Sequence, residues 1–286
     1  MDWSKTKSIF IIVFLILNIF LLSQIAIHSP GSGFSITNEE IEKVKEFLSN
    51  LGVEVDTEIP ENVEYKNFLD VRGESVNQSD IQQQFFSEED DVQISNYSEQ
   101  YIEFLSETGR VIKKENGRIV YEALGFRPTA GASFTEREAI KASEEFHKQG
   151  LNLPEDARLT SVKEINRNRY RIEYHQVFRR QRVDTSYITM IVGPSGVESY
   201  EKYWVEPIDY SGGEYLVIPS TGALIRLMDY IDVSEAVVND ITLSYYSAPI
   251  SAGQWQVAPV WAIKLENIGT VFLNAYTGEL EGIRKY

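Results

Sequence analysis

The chain has 286 residues, no cysteine, and 43 acidic against 27 basic residues, for a formal charge of −16. The missing cysteine excludes disulfides, zinc–thiolate sites and thiol nucleophiles, and the acidity disfavours nucleic acid, whose phosphates such a surface repels. The length accommodates an anchor plus one large or two small domains, and 43% apolar residues suffice for a packed core.

Ile9 to Leu22 is apolar except at Asn18, and the run resumes at Ile25 to Ile27. As a helix it measures roughly 28 Å, about the thickness of bilayer hydrocarbon. Lys5 and Lys7 precede it, and Glu39 and Glu40 are the first charges after it. The positive-inside rule then expects a single-pass protein of the cell membrane, with a cytoplasmic N-terminus and an extracytoplasmic main domain. Trp3 falls at the level of the inner headgroups. The rival reading is a cleaved signal peptide, but Ser23 to His28 lacks a small-x-small cleavage site and the run exceeds a signal core. Asn18 offers an amide that can bond across to another transmembrane helix, typically for about 0.6–2 kcal/mol. Ile11, Phe14, Leu15, Leu21, Leu22 and Ile25 share its face by three/four spacing, making a candidate partner surface. The alternative is an Asn tolerated in a strongly apolar helix. No GxxxG pattern indicates close backbone packing.

Residues 29–35, with Pro30, Gly31 and Gly33, read as a linker. A helix follows, capped by Thr37 or Asn38, with Ile41, Val44 and Leu48 at helical spacing and Gly52 at its end. The stretch from Asp56 to Tyr97 is Gln-rich and acidic; Glu88-Glu89-Asp90-Asp91 does not match a calcium-loop spacing and reads as a solvated loop. Short runs parted by Thr108-Gly109 and Asn116-Gly117 predict hairpin strands up to Ala123. Ser133 or Thr135 caps a second helix with an apolar stripe of Phe134, Ala139, Ala142 and Phe146, closed by Gly150. From Leu159 to Glu206 the pattern is antiparallel strands with turns at Asn166–Asn168 and Pro194–Gly196. In the tail, Gly213, Thr221-Gly222 and Leu224 recur at identical offsets as Gly269, Thr277-Gly278 and Leu280. Each copy reads as strand, tight turn, strand. Asp232 or Ser234 can cap a short helix between the copies. Helix followed by antiparallel strands thus occurs twice. The expectation is an α+β fold, with an anchor in 1–28, a linker in 29–35, and α+β domains in 36–128 and 129–286.

The three histidines, His28, His147 and His175, fall in the linker, late in a helix and on a strand. No metalloprotease, serine-hydrolase, Walker or dinucleotide motif is present, so no enzyme activity, catalytic residue, cofactor or metal is expected. Arg171, Glu173 and His175 alternate on one strand face and read as a solvated face. Arg167, Arg169 and Arg171 line one strand, and Arg179, Arg180 and Arg182 follow on the next. Tyr170, Ile172 and Tyr174 lie in opposite phase, as an inward face. These arginines either dock an acidic partner, membrane surface or anionic polymer, or pair with carboxylates across strands.

The opening Met1-Asp2-Trp3-Ser4-Lys5-Thr6-Lys7 running into Ile9 to Leu15 resembles the YycI (WalI) family of membrane-anchored regulators from low-GC Gram-positive bacteria. So do Pro259 to Ile263 and Phe272 to Leu280. The ectodomain is also similar to the wider PepSY-like group of helix-plus-sheet domains. The resemblance implies a non-catalytic role: association with YycH and with the sensor histidine kinase WalK (YycG), adjustment of that kinase's control of cell-wall metabolism, and participation of the anchor helices in the contact. The alternative it leaves is a PepSY-like ligand-binding or protease-restraining module.

Overall fold

A computed structural model describes residues 14, 33–97, 100–124, 133–150, 152–231 and 236–285. Among the described residues no helix is long and apolar enough to cross a membrane. The expected anchor and its contact face at Ile11, Leu15, Asn18, Leu21, Leu22 and Ile25 lie outside the described residues, as does the cap expected at Asp232 or Ser234. Phe14 alone is described there, helical and exposed.

The described chain starts with β1 (Phe34–Ser35) and α1 (Asn38–Asn50). Thr37 caps α1 in a reciprocal box: Glu40 N–H donates to Thr37 Oγ1 at 3.3 Å, and Thr37 N–H to Glu40 Oε2 at 3.0 Å. Gly52, at φ 85°, turns the chain into β2 (Val53–Val55). β3 (Asn62–Val63), the long β4 (Tyr65–Gly73) and the short helix α2 (Gln78–Phe85) follow. The acidic run after α2 is a turn organised by Asp90, which accepts from Ser87 N–H at 2.7 Å and from Thr108 Oγ1 at 2.8 Å. The meander β5 (Gln93–Tyr97), β6 (Tyr101–Leu105), β7 (Gly109–Lys114) and β8 (Ile119–Ala123) comes next.

Helix α3 (Glu136–His147) carries the same capping box, with Thr135 and Glu138 as its pair. Its buried face is Ala139, Ser143 and His147, while Ala142 and Phe146 are only partly buried. The polar members are bonded in place: Ser143 Oγ lies 2.8 Å from Tyr174 OH, and His147 Nδ1 donates to Ser143 O at 2.8 Å, while His147 Nε2 is buried without a hydrogen-bond partner among the described residues. Then come β9 (Ala157–Asn166), β10 (Arg169–Phe178), β11 (Gln181–Gly193), β12 (Gly196–Tyr203), β13 (Val205–Leu216), α4 (Ser220–Leu227), β14 (Ala236–Tyr246), β15 (Gln254–Leu265), β16 (Gly269–Asn274) and β17 (Leu280–Lys285).

The result is α+β, with four helices among the described residues and one large hydrogen-bonded sheet system. One wing is antiparallel, in the order β9-β10-β11-β12-β8-β7-β6-β5; α3 lies on it, and Ile172, Tyr174, Ile188 and Met190 face that helix's side. The other wing runs β2-β14-β15-β16-β17, with β2 parallel to β14, and packs α1 and α4 over a core of Leu48, Leu224, Trp261 and Leu273. Burial of such side chains is worth about 1.5–3 kcal/mol each. Pairing runs across residue 128: β4 joins β13 and β15, β2 joins β14, and β8 joins β12. A short parallel bridge, Arg182↔Ser244 and Val183↔Tyr245, ties β11 to β14 and so links the wings.

The tail repeat folds in two different ways. Gly269 to Leu280 forms the expected hairpin start, with Gly278 at φ 76°. Thr221 and Gly222 instead lie in α4, a correction to the turn expected there. Pro219 stands at the cap position, and Ser220, Ala223, Leu224 and Leu227 supply a helical buried stripe that the second copy lacks.

Candidate functional site

Side chains alternate across a strand, so residues 171, 173 and 175 of β10 and 187, 189 and 191 of β11 point away from α3. The sequence reading makes the face of Arg171, Glu173 and His175 solvated. The structure corrects this: His175 is 6% exposed, and Arg171 and Glu173 are half-buried. The cover is tertiary. β15, β16 and β17 of the second wing bring Lys264, Thr270, Arg284 and Lys285 over that face, and together they enclose a cleft of about 330 Å³.

At the floor of the cleft stands a buried charge network. Asp184, with no exposed surface, accepts from Arg182 Nε at 3.0 Å and Nη2 at 2.9 Å. Arg284 reaches in from β17: its Nη1 donates to His175 Nε2 at 3.1 Å, its Nη2 to the Asp184 carbonyl, and its guanidinium lies 4.1 Å above the Tyr187 ring. Thr160 Oγ1 donates to the Glu173 carbonyl at 3.1 Å, so the 2.8 Å contact between Thr160 Oγ1 and His175 Nδ1 has the ring as donor. That assigns a neutral His175 with its proton on Nδ1, and its Nε2 stands between Arg284 Nη1 and, at 3.2 Å, Asp184 Oδ1. Burial, joined by Arg182, Arg284 and Lys264, outweighs the attraction of Asp184 and depresses His175 to about 3. Burial also pushes the Asp184 carboxyl up, but the Arg182 and Arg284 guanidiniums override it and hold it below the usual carboxylate range. Both ring nitrogens of His175 are thereby engaged, and neither faces a substrate as a base. Chemically the network is a lock between wings, joining β10 and β11 to β17.

Lys264 Nζ lies 3.3 Å from Glu173 Oε2. Glu201 is held by Arg118 at 2.8 Å and by the Tyr187 hydroxyl. Among the described residues no cluster of three His, Asp or Glu side chains is placed to hold a metal ion.

The arginines singled out in the sequence are dispersed. Arg171 and Arg182 line the cleft. Arg169 pairs with Glu198 on the same wing. Arg179 pairs with Asp209 at 2.6 Å and lies 4.9 Å over Phe178. Arg179 and Arg180 are not strand residues: they form the two-residue turn between β10 and β11, at φ 46° and 70°. Arg167 is exposed in the turn before β10. Sequence reasoning missed Asp184, Lys264 and Arg284. The available signal was Arg182-Val183-Asp184-Thr185-Ser186, a polar run in a strand otherwise rich in Val, Ile and Tyr, whose Asp184, Thr185 and Ser186 are all buried.

A protein-family model described as YycI protein matches residues 32–276. No curated protein matches the chain. Among solved structures, an uncharacterized protein from Eubacterium rectale ATCC 33656 is similar with a TM-score of 0.51 at 10% identity, covering 89% of this chain and 94% of that one. YycH from Bacillus subtilis is similar with a TM-score of 0.47 at 14% identity, covering 86% of this chain and 58% of that one. At 10% identity the first likeness concerns the fold alone.

Proposed function

The chain belongs to the YycI family, a regulatory family, and from that premise we propose that it is a non-catalytic, membrane-anchored regulator that acts with YycH on the sensor histidine kinase WalK (YycG), which controls cell-wall metabolism. The observation that carries this reading is the family match over residues 32–276. The apolar run from Ile9 to Ile27, flanked by Lys5 and Lys7, supports the anchor and the extracytoplasmic placement of the main domain. Regulation then requires the anchor or the outer domain to bind one signalling state of the kinase better than the other. A difference of about 1–3 kcal/mol gives a graded response. Asn18, the one polar residue between Ile9 and Leu22, is the proposed specific contact in the membrane.

The test is detergent co-purification with the kinase and YycH, comparing the full chain, residues 1–35 alone, and the outer domain on a foreign transmembrane helix. Retention of the kinase by residues 1–35 supports the helix contact, and Asn18→Leu then weakens kinase control at equal membrane abundance. Retention only by the outer domain moves recognition outside the membrane. No co-purification in any mild detergent overturns the direct-partner reading. A ligand-binding module is the second reading, favoured by the cleft between the wings.

A further inference from the structure

We propose that β5 is a docking edge, onto which an extended basic segment of another protein adds as a further strand, with an apolar side chain over Ile94. The inference goes beyond the regulatory reading and does not depend on the kinase.

A sheet edge presents backbone N–H and C=O groups that lack a strand partner, and proteins blunt such edges with charge, proline, bulges or shortness. Among the described residues the large sheet system ends at β2, β5, β9, β13 and β17. All of these but β5 are blunted. β2 has three residues. β9 carries Arg158, Lys163 and Glu164, and its pairing shifts register twice. β13 carries Pro207 and Gly212 and also shifts twice, while β17 carries Glu281, Arg284 and Lys285. β5, Gln93-Ile94-Ser95-Asn96-Tyr97, has no charge and no proline, and it pairs with β6 without a bulge.

The side chains of β5 define what the added strand brings. A row of cross-strand neighbours on the α3 side runs Ile172, Met190, Tyr200, Tyr121, Val111, Phe104 and ends at Ile94. Every member up to Phe104 is buried or half-buried, but Ile94 is 47% exposed. An apolar side chain at the next place in the row covers it, as cross-strand pairs cover one another elsewhere in the sheet. On the opposite face Tyr97, stacked on Tyr101 at 4.9 Å, is equally exposed and offers ring surface to the aliphatic stem of a Lys or Arg. The approach to β5 sets the sign of the charge. Glu88, Glu89 and Asp91 lie just before it, and Glu107 lies in the β6–β7 turn, which Thr108 Oγ1 ties to Asp90 at the same end. These four are exposed and make no ion pair among the described residues. A second copy of this chain brings the same carboxylates and a net charge of −16 to the contact, whereas a segment bearing Lys or Arg at that end is attracted.

The experiment uses the full chain in detergent at constant ionic strength, with fluorescent peptides as probes. One is a strand of alternating valine and threonine flanked by lysines; the second has glutamates as its flanks; the third is the lysine-flanked strand interrupted by prolines. The expected result is saturable binding of the lysine-flanked strand, with slowed amide exchange at Gln93–Tyr97, and no binding of the other two. Ile94→Lys is expected to weaken binding by about five-fold or more. Leu159→Lys, at a similarly exposed place on β9, leaves it unchanged. Thermal unfolding of each variant separates lost binding from lost fold, and Ile94→Thr, which keeps β-branching and adds no charge, weakens binding through the lost apolar contact alone. Equal binding of the glutamate-flanked strand overturns the charge assignment. Absence of saturable binding, or slowed exchange elsewhere than in β5, overturns the proposal as a whole. A mass that doubles with concentration and returns to the monomer in Ile94→Lys gives the edge to a second copy and overturns it too. None of these outcomes bears on co-purification with the kinase, so failure here and failure of the regulatory reading are separately visible.

Discussion

Asp184 shows how a charge is kept inside this protein. It has no exposed surface, yet Arg182 and Arg284 hold it ionised, and Arg284 in turn is seated on Tyr187 and His175. Such a network is weak evidence for net stability, but removing one member leaves its partners buried and uncompensated. Asp184→Asn is therefore expected to destabilise the fold by about 3–5 kcal/mol, measured by urea unfolding at pH 7. A loss below about 1 kcal/mol would mean that water reaches the guanidiniums. His147 and His175 make the protein acid-sensitive. Burial depresses them to about 4 and about 3, below the usual value near 6.5. In that interval the unfolded chain binds more protons than the folded one, so stability rises with pH. The penalty is negligible above pH 7, grows as pH falls through 6.5, and for His147 is complete below about 4. Between pH 7 and pH 5 each histidine is expected to cost about 2 kcal/mol, and His147→Phe removes its share of the slope in paired urea titrations. Asp184 adds to the loss only below the ordinary carboxylate range, because its folded value is lowered.

At the scale of elements, local chemistry was legible where it is complete within a few residues. Thr37 with Glu40 and Thr135 with Glu138 are closed four-residue devices, and both helices start there. Thr135→Ala is expected to cost about 1 kcal/mol in the unfolding free energy. The tail repeat is the counterexample. Gly222 and Gly278 occupy the same position in the two copies, but their surroundings differ. Gly278 sits at φ 76°, and a methyl added to it would lie 3.1 Å from Arg226 Cγ, whereas a methyl at Gly222 meets nothing closer than Pro219 Cδ at 3.8 Å. Gly278→Ala should destabilise by about 1–2 kcal/mol. Gly222→Ala, inside α4, should be neutral or stabilise by up to about 1 kcal/mol. Opposite signs in thermal unfolding of the two variants verify the assignment; equal destabilisation would restore the turn at Gly222. The repeat misled because Thr-Gly suits both a turn and a helical first turn, and the apolar stripe through Leu227 decides between them.

For the molecule as a whole, the decisive feature is that strands from before residue 128 complete sheets begun after it. β4 lies between β13 and β15, and β2 edges β14. A fragment of residues 129–286 is therefore expected not to fold cooperatively: without β4, the Val257 and Val205 region loses the cover of Leu69 and Val71, and without α1 the second core loses Leu48. A sigmoidal urea transition with native-like near-ultraviolet dichroism for that fragment would contradict this. The cleft has the same origin, since its two walls come from different wings.

Composition and local pattern by themselves determined the acidic surface, the absence of thiol chemistry, the α+β class, the starts of α1 and α3, and the inward face of Ile172 and Tyr174. They also carried the resemblance to the family the chain belongs to. These follow from properties that act within one turn or one strand. What only the tertiary structure decided was the fate of the other face of β10. Whether Arg171, Glu173 and His175 meet water or protein depends on β17, more than a hundred residues later in the chain, and no period along β10 encodes that meeting. Alternation tells which side chains share a face; only the packing of the second wing tells what that face meets.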